Sequence, residues 1–161
     1  MTSLKLLVAL SLVMASAKGN CQEALVPKDR LAECTASAVE LAMRASKVNL
    51  DFSPRSLAYV DGMMNDFHSR HFPPEKVQAH VRVMGCYAAE VFIRNLGGKW
   101  IYPEPDVIPK LGAGPFVELP GGVVINPLVK VQSIYEDGLE HSVVRFYAFV
   151  EASMRGEKNK P

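Results

Sequence analysis

Glu90 stands on an otherwise apolar helical face, with Val83, Cys86 and Ile93 at neighbouring positions. A carboxyl group kept from water holds its proton to higher pH, and general acid–base chemistry exploits that. Glu90 is therefore the candidate catalytic residue of a small hydrolase. Arg94 follows four residues later, in the order that favours a helical ion pair. On the competing reading, Glu90 is structural. It pairs with Arg94, or it holds the backbone of the Gly97-Gly98 turn or the loop beyond. The structural role is preferred.

His68 and His71 are three residues apart and could face one ion, with Asp66 nearby. A closed zinc site needs four ligands, and neither Cys-x-x-Cys nor His-Glu-x-x-His occurs, so no metal is expected. The nucleophile elbow and the phosphate loop are also missing, and Gly112-x-Gly114 runs into Pro115 rather than a dinucleotide fingerprint. No cofactor is expected. Cys86 and His80 are six residues apart on one helix, about 120° around it, which argues against a Cys–His protease. Trp100 is the single Trp. It is either a core plug at a helix–sheet junction, the favoured role, or an aromatic anchor. In the second role Tyr102 and Phe116, with Pro103 and Pro105, would join it in an apolar contact surface.

Residues 1–17 say where such chemistry would take place. Lys5 precedes an apolar run, Leu6 to Met14, and Ala15-Ser16-Ala17 is a small-x-small cleavage site. That is the layout of a secretory signal peptide. Cleavage there leaves 144 of the 161 residues, enough for one domain with one core. The 18 basic side chains lose Lys5 and become 17, against 17 acidic ones. This even balance argues against nucleic acid as a partner. No later stretch is apolar enough to insert stably in a membrane, and Lys18-Gly19-Asn20 fits poorly with lipid attachment at Cys21. The expected location is the periplasm or the exterior.

Export makes a disulfide available to Cys21, Cys34 and Cys86. Cys34–Cys86 would tie two helices together, and Cys21–Cys34 would pin the mature N-terminus. Alternatively, Cys86 is a small buried hydrophobe.

Around these residues the spacing predicts the scaffold. Leu31, Cys34, Ala38, Leu41 and Ala45 mark a first helix ending near residues 47–49. Ser53-Pro54 opens a second, with Ser53 as cap and a stripe of Leu57, Val60, Met64 and Phe67. Pro73-Pro74 starts a third, over 74–96, whose Val77, Val81, Met84, Ala88 and Val91 share one face. With apolar residues on the opposite face too, this helix should be central, and Gly97-Gly98 should end it. Residues 99–102 read as a short strand and 103–115, with four Pro, as a loop. Two β-prone runs, Phe116–Leu119 and Val123–Ile125, flank Pro120-Gly121 and form a hairpin, with the Trp100 strand beside it. Asn126-Pro127 caps a fourth helix stopped near Gly138, and a final helix carries Leu139, Val143, Phe146, Tyr147, Val150 and Met154. The expectation is an α+β domain over 18–155, with a helical N-terminal half, a small antiparallel sheet, two C-terminal helices and a flexible tail over 156–161.

The stretch Met84-Gly85-Cys86-Tyr87-Ala88-Ala89-Glu90-Val91, followed by Asn95-Leu96-Gly97-Gly98-Lys99-Trp100, resembles a bacterial exported-protein family of unknown function. Its members look like small domains in which a Gly-x-Tyr-x-x-Glu-Val helix runs into Gly-Gly-x-Trp, with a later Asn-Pro before a helix. Ala89 stands where the family usually has a second Gly. The resemblance implies the fold and a structural weight for Glu90 and Trp100, and it implies no activity. Together these readings favour a non-enzymatic exported module. Its expected partner is another protein, such as a toxin or cell-wall enzyme that it restrains as an inhibitor or immunity protein.

Overall fold

The computed structural model describes residues 26–102 and 115–157. Residues 1–25, Cys21 among them, most of the Pro-rich stretch and the last four residues lie outside the described residues. The elements are α1 (Leu31–Ser46), α2 (Leu57–Ser69), α3 (Pro74–Leu96), β1 (Lys99–Ile101), β2 (Phe116–Leu119), β3 (Val123–Ile125), α4 (Pro127–Asp137) and α5 (Val143–Glu157). This is an α+β fold with the helical first half, small sheet and closing helix pair expected from the sequence.

Helix α3 is the axis. Every residue from Met84 to Ala89 is buried, as are Val77, Val81, Val91 and Phe92. Helices α1 and α4 pack against it, and α2 packs on α4 and α5. The closest approach is at Gly85. A Cβ there would sit 2.8 Å from Leu128 Cγ and 2.9 Å from Leu128 Cα. The missing side chain lets α4 lie directly on α3.

The three strands form an antiparallel sheet in the order β1-β2-β3, with Trp100 opposite Val117 and Glu118 opposite Val124. Gly97, at φ +81°, closes α3 through the left-handed region. Gly98 serves differently. A Cβ on it would meet Leu119 Cδ2 at 2.8 Å and the Glu118 carbonyl at 3.0 Å, so its bare backbone lets β1 leave the helix directly onto β2.

Local signals explain most boundaries. Asn126 accepts a hydrogen bond from the Val129 amide and Pro127 takes the first helical position of α4. Lys47 ends α1 at φ +58°, with its own amide and that of Val48 returning to Met43 and Ala42. Three boundaries differ from expectation. Ser53 makes no side-chain cap; its amide donates to Asp51, and Pro54–Ser56 forms a 3-10 turn before α2. Leu139 is not on the last helix. Gly138, at φ +93°, turns the chain into a separate 3-10 turn, Leu139–His141, leaving Leu139 44% exposed. The last helix then continues through Gly156 and Glu157, beyond the expected start of the tail.

Among the described residues, no helix is long and apolar enough to cross a membrane.

Candidate functional site

Residues at the C-terminal end of α3, the chain before α2, and β1 meet in one corner. Trp100 Nε1 donates to Glu90 Oε1 at 2.8 Å, and Arg94 Nε donates to Glu90 Oε2 at 3.1 Å. The Glu90 side chain is 20% exposed. Both oxygens of the candidate catalytic carboxylate thus accept a hydrogen bond from the scaffold. Glu90 holds the Trp100 side chain, not the turn backbone. The indole is partly buried against the core, so Trp100 combines a packing role with a fixed position.

Arg94 carries the corner further. Its guanidinium carbon lies 3.6 Å from the centroid of the Phe52 ring. Phe52 adopts φ +60°, uncommon for a bulky side chain, and three contacts hold it. Its amide donates to Tyr87 Oη at 2.9 Å, its carbonyl accepts from Asn95 Nδ2 at 2.8 Å, and its ring packs on Tyr87 at 5.0 Å between centroids. Ser56 Oγ, 2.5 Å from Tyr87 Oη, bonds onward to the Ser53 carbonyl.

At the far end of β1, Tyr102 Oη donates to the Val26 carbonyl at 2.7 Å. Trp100 and Tyr102 therefore each have their polar end tied down. Both stay partly buried against the core, just before the Pro-rich stretch. Phe116 does not join them as a surface. It is 1% exposed and belongs to the interior of β2. Pro103 and Pro105 lie outside the described residues.

The histidines are placed separately. His68 Nδ1 donates to the Tyr135 carbonyl at 3.0 Å, and the His68 ring lies against Gly138. His71 sits in the turn after α2 at φ +53°. Among the described residues, no group of three potential ligands is gathered for a metal. Cys34 and Cys86 form a disulfide, with Cα atoms 6.0 Å apart. Of the two pairings open to Cys34, this is the one that joins α1 to α3.

One buried carboxylate escaped the sequence reading. Asp61 accepts from Ser142 Oγ at 2.5 Å and from the Val143 amide at 2.7 Å, at the start of α5. Its signal was present. It lies four residues after Leu57 and three before Met64, inside the apolar stripe of α2.

Two expected results follow from this site. Glu90→Leu removes the acceptor for Trp100 and the partner of Arg94. It should lower stability by about 1–3 kcal/mol, and Glu90→Gln, which keeps an acceptor for the indole, by less than about 1 kcal/mol. Denaturant melts of both variants check this. If Glu90 were instead catalytic, Glu90→Gln would abolish a turnover while barely moving the melt.

The second concerns alkali. Burial pushes the phenols of Tyr87, Tyr102, Tyr135 and Tyr147 above the ordinary value. The unfolded chain releases these protons near pH 10, before the folded chain does. Their contribution is therefore full below about pH 10 and is lost as pH climbs through the raised folded values. Melting temperatures across that range should fall steeply, and Tyr87→Phe should flatten the fall.

No protein-family model matches the chain, and no curated protein or solved structure matches it.

Proposed function

We propose that this chain is an exported, non-enzymatic protein-binding domain. It works as an inhibitor or immunity protein, restraining a toxin or cell-wall enzyme. The observation that carries this reading is the tethered aromatic pair at β1. Trp100 is held by Glu90 and Tyr102 by Val26, beside a stretch rich in Pro. Side chains already fixed in place lose little freedom when a partner docks, and Pro lowers that cost further for the segment that follows. Trp and Tyr are also the side chains that most often anchor protein interfaces.

The leader-like residues 1–17 support export, and a disulfide is compatible with an oxidising compartment. The commitment of both Glu90 oxygens to Trp100 and Arg94 weighs against the alternative of a Glu90 hydrolase. The likeness of 84–91 and 95–100 to an exported bacterial family belongs to the same reading.

Affinity capture from periplasmic extract tests it. One partner should be recovered in stoichiometric amount, and Tyr102→Ala should weaken its capture about tenfold or more with the fold retained by circular dichroism. Repeated recovery of no partner at native expression levels sinks the proposal.

A further inference from the structure

Helix α1 is held to the molecule differently from the other helices. Among the described residues it packs on α3 and on the 3-10 turn that precedes it, and makes only marginal contact with the other helices and strands. Its buried side chains are Leu31, Cys34, Thr35, Ala38 and Ala42, so only one of the five is a large hydrophobe. Val39 and Leu41 are partly buried against the core as well, but an Ala buries a single methyl, so α1 buries less apolar surface than α3 does.

The seam is also poorly matched. Among the described residues, the buried side-chain polar atoms without a hydrogen-bond partner are Thr35 Oγ1 and His80 Nδ1. Thr35 is on α1, and His80 lines the cleft between α1 and α3. That cleft, of about 540 Å³, separates Ser37, Leu41 and Ala45 on α1 from Ala79, His80 and Val83 on α3. Lifting α1 would hydrate the Thr35 hydroxyl and open the groove around His80. An unpaired buried polar atom favours such opening. Side-chain hydrogen bonds from α1 to distant elements include an exposed one between Ser46 Oγ and Tyr59 Oη at 3.1 Å and, at the cysteine itself, the contact of Cys34 Sγ with the Arg82 carbonyl at 3.6 Å. Against all this stands the Cys34–Cys86 disulfide, which bolts the seam across 52 residues of sequence.

We infer that α1 is a redox-latched arm: the disulfide keeps it docked, and reduction releases it from α3 while the rest of the domain stays folded. A dithiol supplies two electrons and two protons, the S–S bond breaks into two thiols, and the dithiol closes to its own disulfide. The anchors on either side, Val26 under Tyr102 and the buried Leu50, keep the release local. The latch requires no binding partner, so it stands or falls separately from the function proposed above.

Hydrogen exchange on the full-length chain, oxidised and then reduced with dithiothreitol, tests the latch. The Cys34→Ala/Cys86→Ala double variant serves as a reductant-free equivalent. On reduction the amides of 35–46 should exchange about a hundredfold faster or more, while those of 84–92 and of α4 change by less than about tenfold. Thr35→Val, which removes the orphaned hydroxyl, should restore about tenfold protection to α1 in the reduced protein. Three results overturn the proposal. In one, α1 and α3 accelerate by the same factor. In another, the α1 amides do not change. In the third, reduced wild type and double variant both unfold completely, because the arm would then not be separable from the domain.

Discussion

Asp61→Ala is expected to cost about 3–5 kcal/mol of stability, a large share of what a domain of this size has. The carboxylate is buried, yet it faces no cation among its bonded partners. It is balanced instead by the start of α5. Ser142 Oγ and the Val143 amide donate to it, and the Val144 amide lies at 3.4 Å. The positive end of the helix dipole adds to that stabilisation. Ser142 is doubly used, because its Oγ also accepts from the Arg145 amide at 3.1 Å in the manner of an N-cap. Removing Asp61 strands a hydroxyl and an amide in the interior and loosens the cap, so the loss exceeds that of one hydrogen bond. Asp61→Asn keeps one acceptor oxygen and should cost roughly half as much. Urea titration of the three proteins checks the order, with an unchanged slope showing that stability and not mechanism has moved. If Asp61→Ala loses less than about 1 kcal/mol, α5 is not held by this group.

Gly85→Ala should also destabilise, by about 2–3 kcal/mol net, although the same change in an exposed helix stabilises by up to about 1 kcal/mol. The reversal of sign comes from Leu128. The added methyl would lie 2.8 Å from its Cγ and 2.9 Å from its Cα. A side chain can rotate away, but a backbone atom moves only if α4 shifts as a body. Leu128→Ala in the same chain removes the Cγ conflict and leaves the Cα conflict. A double-mutant cycle should therefore show favourable coupling with incomplete rescue. A stabilised Gly85→Ala variant would mean that the two helices do not meet at this distance.

These two positions show where sequence reading stops. Helix α3 was legible because its apolar residues recur every three and four positions, a pattern that a helix turns into one face. Its end was legible because Gly97 frees the backbone to turn left-handed. The hairpin followed from β-prone runs around Pro120-Gly121, and α4 from the Asn126 cap. In each case cause and consequence lie within a few residues, and the structure keeps them. The start of the last helix failed by the same measure. Leu139 fits the spacing, but Gly138 at φ +93° breaks the chain before it.

The candidate site was legible in its members and not in its joints. Glu90, Arg94 and Trp100 stood out by type and position. That the carboxylate would hold the indole depends on how β1 leaves the helix, and that path needs a bare Gly98 against Leu119 and Glu118. Phe116 looked available because an aromatic residue near a loop carries no mark of which face of its strand is buried. Cys34 had two potential partners, and only the docking of α1 on α3 selects Cys86. Asp61 and Ser142 are 81 residues apart, so no local pattern joins them. The amino-acid order by itself determined which elements form and most of their boundaries, because helix periods, caps and turns act between near neighbours. Tertiary structure decided which polar groups face one another in the interior, because burial makes each depend on a partner that only packing can deliver.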